Sequence, residues 1–592
     1  MSYLKADEQD ESQIKKFGIG DLKSFFILFS FAKGYLPKYI MSLGLIFLGS
    51  LSVMISARSL GKLVEHIIAG DKDQAWVFAG MVLLFEAVAI AFAWSGRRFI
   101  SKYSSFVILE IRKRLFNHLQ NLPLSYFDRQ PKGRIITRLT HDVEGIEDFF
   151  TGALGKLIQA IFMIILSIGA MIATDFKLGL ILTLTMIPGL FFIFATKKMV
   201  RNASRRMSRN SSALNSKLSE FLDGMEVIRA FGLEKWSQNE YGESIQEYKT
   251  SMLGANSLFA WIRPVLTLLV YAPLVGLVWF GGHSVLEGTL AVGVFVSFMR
   301  YCERFAGPIL GLAREIQVIQ SAFTYTERVA NFLKEPGEEV ALGTDGMLEV
   351  PIKGEISFKN VYMSYNEGEP ILKDVSFNIR PGEKIGLVGR TGSGKTTTIS
   401  LLSRLYPFQS GDILLDGNSI KDFKRSYLRE QIGLVSQDVI VFKGTLRDNL
   451  TDNIIGESVI LDACEKTGLT HMMKRANLTL DSEILDGGAN LSVGERQLLA
   501  LTRIFIKNPQ ILVLDEATTN IDPFYEELIH GAVFKAMENK TCLIIAHRLD
   551  TLKRCDRILV FSDGRLIEEG HSNQLFENKG HFYSLHNAQG LS

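Results

Sequence analysis

The sequence has few cysteines and almost no net charge, and each shortage excludes a class of function. Its 592 residues carry a formal net charge of +2, which gives no case for nucleic acid as a partner. Residues 1–16 are rich in charge of both signs and lack an apolar core, so we expect no cleavable signal peptide. The cysteines show neither metal-ligand spacing nor a paired pattern, which predicts reduced thiols at Cys302, Cys464, Cys542 and Cys555.

Apolar residues, in contrast, are abundant and unevenly distributed. Hydrophobic residues make up 47% of the chain and charged residues 22%, which is the average expected for an apolar half joined to a soluble half. A helix needs about 20 mostly apolar residues to cross a bilayer. The N-terminal half contains six runs that we interpret as membrane spans, at residues 40–60, 76–94, 154–173, 178–195, 260–280 and 291–311.

Long polar connections follow the second and the fourth run, and both are predicted to be helical extensions into the cytoplasm. Each connection is rich in arginine and lysine, at residues 97–114 and 197–209, and such residues stay on the cytoplasmic side of a membrane. With an even number of spans, this pattern predicts that both termini are cytoplasmic. Residues 19–35 are amphipathic and form either an interfacial helix or the cytoplasmic end of the first span.

A few ionisable residues fall within or beside the apolar runs. A charge in hydrocarbon costs on the order of several kcal/mol, so such a residue usually faces protein or water. These residues could line a substrate cavity, but we favour the alternative that Arg300, Glu303 and Arg304 lie near a membrane boundary or a helix neighbour and pair there. The full set of ionisable residues is Glu86, Arg263, Arg300, Glu303 and Arg304.

Residues 389–396, which we call the phosphate loop, match G-x-x-x-x-G-K-[ST] at every defined position. Glycines let backbone N–H groups turn toward phosphates, the lysine neutralises charge, and the threonine hydroxyl can ligate Mg²⁺. A strand is predicted over 384–388 and an amphipathic helix over 397–405, so the loop precedes a helix N-terminus, where anions are favoured. The predicted nucleotide-binding residues are Gly389, Arg390, Thr391, Gly392, Ser393, Gly394, Lys395, Thr396 and Thr397, and Thr396 is also a predicted metal ligand.

A second motif follows downstream, where apolar residues 511–514 lead into Asp515 and Glu516. A short continuous apolar run is typical of a fully buried strand, and open parallel sheets present their ligands at the carboxyl ends of such strands. Two acids after an apolar run are, taken alone, more often a helix cap or a solvated turn. Because the phosphate loop lies upstream, we expect Asp515 to hold Mg²⁺ and Glu516 to polarise the attacking water.

Residues 491–497, which we call the signature segment, resemble the signature of ABC ATPases. They match the family form L-S-G-G-Q at Leu491, Ser492 and Gly494 and depart from it at Val493 and Glu495. The resemblance implies that Ser492 and Gly494 contact the ATP of a second chain. It also implies four further site residues: Tyr365 stacked on adenine, Gln437 in catalysis and at Mg²⁺, Asp522 in the D-loop at 519–522, and His547 as a catalytic residue near the γ-phosphate.

The whole layout is similar to that of a type IV, exporter-type ABC half-transporter of the multidrug-resistance-like group. The resemblance implies an α-helical six-span transmembrane domain fused to a C-terminal α/β P-loop ATPase domain. Residues 124–128 and 226–231 resemble the coupling helices of the family's two intracellular loops. We expect a cytoplasmic N-terminus and interfacial elbow at 1–36, the transmembrane domain at 37–330, a linker at 331–353 and the ATPase domain at 354–592.

The resemblance implies ATP-driven export of lipophilic or amphipathic compounds, which we expect to take place at a bacterial cytoplasmic membrane with ATP and Mg²⁺ as cofactors. The expected partners are membrane lipid, a lipophilic small-molecule substrate and a second half-transporter subunit. Glu495 places a carboxylate where the family has a neutral amide, and like charges near phosphate repel.

The departure at Glu495 favours a heterodimer in which the partner supplies an intact signature. A homodimeric lipid or peptide exporter is the alternative, because isologous pairing is the commonest arrangement. A regulatory subunit with little turnover of its own is a further possibility, and the presence of Lys395, Asp515, Glu516 and His547 argues against it.

Overall fold

The computed structural model describes residues 26–366, 368–436, 438–451, 455–515, 522–545 and 552–589. These residues fall into two compact units. The first is drawn from Met1–Asn117 and Gly133–Lys334, and the second from His118–Lys132 and Glu335–Ser592. The short segment His118–Lys132 therefore belongs with the C-terminal part of the chain, although the sequence around it belongs to the first unit.

The first unit is helical throughout its described elements, as its long apolar runs require, because a helix satisfies its own backbone hydrogen bonds inside a membrane. The helices up to residue 332, including the short α3 of the second unit, are α1 (Leu36–Ile68), α2 (Lys72–Gln120), α3 (Leu124–Arg129), α4 (Lys132–Leu139), α5 (His141–Asp148), α6 (Leu154–Thr174), α7 (Phe176–Asp223), α8 (Met225–Ala230), α9 (Glu234–Gly276), α10 (Gly282–Leu286) and α11 (Val292–Phe332).

Within the described residues, five helical segments are long and apolar enough to cross a membrane, and each contains one of the first five predicted spans. They are Lys33–Ile68, Lys72–Gln120, Lys132–Thr174, Phe176–Asp223 and Glu234–Leu286. The sixth predicted span lies on α11, which carries three charges in one short stretch, at Arg300, Glu303 and Arg304. Its apolar side chains Phe298, Tyr301 and Phe305 are nevertheless fully buried, in a core shared with α1, α6, α7 and α9.

The second unit contains two main sheets built from short strands. A six-stranded sheet has the order β12-β11-β3-β10-β9-β6 and is parallel from β11 to β6, and a four-stranded antiparallel sheet has the order β2-β1-β4-β5. The strands are β1 (Ile356–Ser364), β2 (Pro370–Ile379), β3 (Lys384–Gly389), β4 (Ser410–Leu415), β5 (Asn418–Ser419), β6 (Ile432–Val435), β7 (Gly444–Thr445), β8 (Glu483–Ile484), β9 (Ile511–Asp515), β10 (Thr541–Ile545), β11 (Arg557–Ser562) and β12 (Arg565–Gly570).

Helices cover the parallel sheet, and two apolar clusters meet in it. One cluster includes Leu512, Leu514 and Ile544, and the other includes Val513 and Leu543, so alternate residues of one strand face opposite sides. This is why β9 and β10 are continuous apolar runs. The helices are α12 (Glu338–Leu342), α13 (Lys395–Leu402), α14 (Arg425–Gln431), α15 (Leu446–Leu450), α16 (Glu457–Thr467), α17 (Leu469–Arg475), α18 (Val493–Lys507), α19 (Pro523–Ala536), α20 (Ser572–Glu577) and α21 (His581–Gln589).

The strand predicted at 384–388 is confirmed as β3, whereas the helix predicted at 397–405 has different ends. It begins at Lys395, inside the motif, and ends at Leu402, because Arg404 adopts a left-handed conformation with φ of 48°. The four cysteines are free and buried, which agrees with the predicted reduced thiols.

Candidate functional site

The carboxyl ends of the parallel strands meet at one edge of the six-stranded sheet. Leu387 of β3 is in register with Ile545 of β10, and Ile545 is in register with Asp515 of β9. Neighbouring strands are about 4.8 Å apart, so Asp515 lies roughly 10 Å across the sheet from β3. The phosphate loop follows β3 directly, and the predicted metal ligand Asp515 therefore ends a strand at the same edge.

Several predicted site residues lie outside the described residues, including all those predicted to be catalytic. These are Gln437, Glu516 and His547, together with D-loop residues 519–521. The strands that precede them in sequence are β6, β9 and β10, and these end at the same edge as β3.

At Gly389 and Gly394 of the phosphate loop there is no room for a side chain. Gly394 has φ of +106°, in the left-handed region, and a Cβ atom there would lie 2.5 Å from Leu372 Cδ2. A Cβ atom on Gly389 would lie 2.4 Å from the carbonyl oxygen of Phe561 on the neighbouring strand. The sequence pattern and the tight geometry thus have the same cause, which is close approach of the loop to β2 at Gly394 and to β11 at Gly389.

The side chains of the loop present a cation and a buried hydroxyl. Lys395 is buried, and its Nζ donates hydrogen bonds to the carbonyl oxygens of Gly389 at 2.6 Å and Arg390 at 3.1 Å. The Ser393 Oγ is buried without a hydrogen-bond partner among the described residues. Gly394 is the N-cap of α13 and has no side chain that could cap the first N–H groups of this helix. An anion such as a phosphate fits these groups.

Tyr365 stands beside the phosphate loop with much of its ring open. The residue is 44% exposed, and its hydroxyl lies 3.3 Å from the Thr397 Oγ1 in the first turn of α13. The Tyr406 ring meets it edge-to-face, with ring centroids 4.9 Å apart. The open ring can take a flat partner, as the predicted stacking on adenine requires.

Tyr406 is a residue that the motifs did not indicate. It is buried beside Tyr365, and its hydroxyl donates a hydrogen bond of 2.5 Å to the Asp128 Oδ2 of the segment His118–Lys132. Burial raises the pKa of Tyr406, and the nearby Asp128 carboxylate raises it further. The phenol therefore stays protonated as a donor at neutral pH. No local sequence signal links two residues that lie 278 positions apart.

The signature segment begins α18 with a capping box. The Ser492 N–H donates to the Glu495 Oε2 at 2.7 Å, and the Glu495 N–H donates to the Ser492 Oγ at 3.3 Å. The other carboxylate oxygen of Glu495 accepts a hydrogen bond of 2.8 Å from the Tyr525 hydroxyl. Gly494 is buried, whereas Ser492 is exposed. Glu495 thus has a structural role within its own chain, which the sequence analysis did not identify.

Asp522 and Thr396 complete the described part of the predicted site. The Asp522 Oδ1 accepts a hydrogen bond of 2.9 Å from the Phe524 N–H, so this carboxylate is the N-cap of α19. Thr396 lies exposed in the first turn of α13, next to Lys395. Among the described residues there is no group of three or more histidine, cysteine or acidic side chains that could hold a metal ion by itself. A Mg²⁺ ion held here would need phosphate and water oxygens as well, which is its usual preference.

Arg300, Glu303 and Arg304 all form ion pairs, as the favoured interpretation predicts, and the partner of Arg304 is Glu86 on α2. The Glu86 Oε1 accepts hydrogen bonds from the Arg304 Nη2 at 3.0 Å and the Ser56 Oγ at 3.1 Å, and it lies 3.9 Å from the Arg300 Nη2. Arg300 also pairs with Glu303 at 3.1 Å. Arg263 lines an open groove of about 660 Å³ along α9.

Comparisons with known proteins extend over both units. A family model described as the ABC transporter transmembrane region matches residues 39–309, and one described as ABC transporter matches residues 372–519. The chain is 31% identical to the probable multidrug resistance ABC transporter ATP-binding/permease protein YheH of Bacillus subtilis, over 86% of this chain and 77% of that protein.

It is also 29% identical to the ATP-dependent lipid A-core flippase of Hahella chejuensis, over 94% of this chain and 97% of the flippase. Among solved structures, a bacterial Atm1-family ABC exporter with ATP bound has a TM-score of 0.79 and 22% identity, and the match covers 94% of this chain and 98% of that one. The fold is therefore a helical transmembrane domain followed by an α/β ATPase domain.

Proposed function

Because the chain belongs to the exporter-type half-transporters of the ABC transporter family, we propose that it exports lipophilic or amphipathic compounds by alternating access. It is an ATP hydrolase coupled to transport, a multi-pass protein of the bacterial inner membrane with its ATPase in the cytoplasm. The observation that carries the proposal is the phosphate loop, with Lys395 and a buried Ser393 hydroxyl that has no hydrogen-bond partner in the described part of the chain, at the same sheet edge as Asp515.

The substrate class rests on the relatives. One is named a lipid A-core flippase and another a multidrug resistance transporter, and both names describe handling of lipophilic or amphipathic molecules by those proteins. We propose the same broad class for this chain, with membrane lipid as its surroundings. The domain boundaries at residues 36, 330 and 353 belong to the same proposal.

The ATP site that we propose combines residues that the structure describes with residues that lie outside the described ranges. The phosphate loop and Thr397 would hold the phosphates, and the open face of Tyr365 would take the adenine ring. Thr396, Gln437 and Asp515 would hold Mg²⁺, which would neutralise charge on the phosphates. Glu516 would polarise the attacking water with help from Gln437 and His547, and Ser492, Gly494 and Asp522 would complete the site of the partner chain.

Half-transporters act as dimers, and we propose that the partner here is a different half-transporter subunit. The departures at Val493 and Glu495 support this proposal. The capping box weakens the electrostatic part of the argument, because backbone and Tyr525 donors already hold the Glu495 carboxylate. A homodimer with two equivalent sites is the alternative, and a single measurement separates the two.

That measurement is the native mass of the chain expressed alone in lipid, recorded with its ATPase rate. A monomer, or a dimer without ATPase activity, supports the heterodimer, because a second subunit must then supply the missing signature. A stable dimer with turnover that depends on Glu516 overturns it and makes Glu495 a tolerated variant.

The catalytic assignment has its own test in Glu516→Gln, which keeps the size of the side chain and removes its charge. We expect ATP hydrolysis by the assembled dimer to fall about 100-fold or more, with ATP trapped in a closed dimer. Undiminished hydrolysis would remove Glu516 from catalysis. A wild-type assembly that binds ATP but neither hydrolyses it nor moves a fluorescent lipid would instead favour the low-turnover regulatory subunit.

A further inference from the structure

A chain of three contacts leads from the proposed adenine position to the segment His118–Lys132. Tyr365 is partly exposed to solvent. Its ring meets the Tyr406 ring edge-to-face, and the two ring centroids are 4.9 Å apart. The Tyr406 hydroxyl then donates its 2.5 Å hydrogen bond to Asp128. Tyr365 is also held at the phosphate loop, since its hydroxyl lies 3.3 Å from the Thr397 Oγ1. All of these residues belong to the second unit.

Asp128 lies in α3, a short helix between two much longer ones. Only three residues separate α3 from α2, which ends at Gln120, and two residues separate it from α4, which begins at Lys132. The segment is fixed to the second unit at another point, where the Asn121 carbonyl oxygen accepts a 2.6 Å hydrogen bond from the Glu338 N–H. A displacement of α3 therefore passes along the chain into helices that continue into the first unit.

We propose that Tyr406 is a positioning residue that makes the placement of α3 depend on the base of the bound nucleotide. This inference rests on the proposed function, because it requires ATP to stack on Tyr365. A stacked base restricts the Tyr365 ring, and the edge-to-face contact transmits that restriction to Tyr406, which has few alternative rotamers because it is buried. The hydrogen bond to Asp128 then holds α3 in one position. Phosphate binding reaches this path only through the contact between Thr397 and the Tyr365 hydroxyl, so we expect the base to add most of the restriction.

The experiment uses the full chain in lipid vesicles, in its assembled dimer, with a fluorescent label on α3. Arg129→Cys provides the attachment point, because Arg129 is exposed and the four native cysteines are buried. The label's emission is recorded with ATP and with ribose 5-triphosphate, which carries the phosphates but no base. We expect ATP to change the emission at least three-fold more than the base-free triphosphate at saturating concentrations of each.

Tyr406→Phe removes only the hydroxyl and keeps the ring contact. In this variant we expect ATP and ribose 5-triphosphate to give the same emission, while the KM for ATP stays within two-fold of the wild-type value. Asp128→Ala should produce the same loss, and the double variant should lose nothing more, since both changes break one hydrogen bond. Tyr427→Phe is the matched control, because its hydroxyl donates to the Val350 carbonyl oxygen in the same unit, and it should keep the wild-type difference.

Two results would overturn the proposal. One is a base-dependent emission change that survives in Tyr406→Phe, and the other is equal loss in Tyr406→Phe and Tyr427→Phe, which would indicate general destabilisation. A separate measurement, lipid movement by the wild-type protein, tests the proposed function. Wild-type vesicles that move no fluorescent phosphatidylethanolamine with ATP would refute export of such compounds, whereas the label on α3 would still report base-dependent positioning.

Discussion

Two helix N-termini in the second unit are proposed to contact ATP phosphates, and they are built in opposite ways. The N-terminus of α13 has glycine as its N-cap, no capping side chain, and a lysine as its first residue. The N-terminus of α18 has a serine N-cap and a glutamate that closes a capping box. The first has no N-cap side chain and carries a lysine, whereas the second already uses some of its N–H donors and carries a negative charge.

This difference shows that a helix N-terminus does not by itself make an anion site. A capping box stabilises the helix by satisfying its free N–H groups, and the same donors can no longer be offered to a phosphate. At α13 the N-cap is a glycine, which has no side chain that could satisfy these groups. At α18 the Ser492 hydroxyl is the group that stays available to donate, because it only accepts from the Glu495 N–H.

The largest effect is expected from removing the cation of α13. We expect Lys395→Ala to lower ATP hydrolysis by the assembled dimer about 100-fold or more, because the developing charge on the phosphates loses its partner. The measurement is kcat for ATP in lipid vesicles. Lys359→Ala, which removes an exposed lysine of β1, should keep the wild-type rate. If both variants behave alike, Lys395 has no special role at α13.

Gly394→Ala tests the uncapped turn itself. We expect a loss of about 1–3 kcal/mol in the free energy of unfolding, because alanine at φ of +106° is strained and its Cβ meets Leu372. ATP affinity should fall as well. Gly456→Ala is the matched control, since Gly456 is also a helix N-cap but has φ of −62°. Denaturant unfolding that gives equal losses for the two variants would contradict the geometric explanation.

Two substitutions of Glu495 separate the effect of the capping box from the effect of the negative charge at the N-terminus of α18. We expect Glu495→Ala to destabilise the ATPase domain by about 2 kcal/mol, because the capping box and the hydrogen bond from Tyr525 are both lost. Glu495→Gln retains an acceptor for the Ser492 N–H and removes only the negative charge. Its stability should stay near that of the wild type, and ATP affinity at the site completed by this segment should rise several-fold. A fall in ATP affinity in Glu495→Gln would show that the charge does not oppose phosphate binding.

The smallest effect is expected from Tyr525→Phe, which removes one donor to Glu495. The loss should be about 1 kcal/mol, and it should shrink in a Glu495→Ala background, since the two residues share one hydrogen bond. Burial raises the pKa of Tyr525, and Glu495 raises it further. The stabilisation is therefore present below the ordinary tyrosine pKa of 10.0 and is lost as the pH rises above it. Unfolding from pH 8 to pH 11 measures this loss, and Tyr525→Phe should lack that component.

Contiguous motifs determined much of this protein from the sequence alone. The phosphate loop, the strand that ends at Asp515 and the apolar runs each depend on neighbouring residues, so their spacing along the chain is enough to predict a helical membrane unit and an α/β ATPase unit. The pairing of Arg300, Glu303 and Arg304 was expected because an isolated charge in hydrocarbon is costly, whereas Glu86 as the partner of Arg304 was seen only in the structure.

Only the tertiary structure decided which side chains support those motifs. Glu495 was expected to oppose phosphate, and its capping box and its contact with Tyr525 became visible only when α18 and α19 were packed together. The path from Tyr365 through Tyr406 to Asp128 joins residues from distant parts of the chain. Such contacts leave no periodicity or spacing in a sequence, because a single hydrogen bond between folded elements constrains two positions and nothing between them.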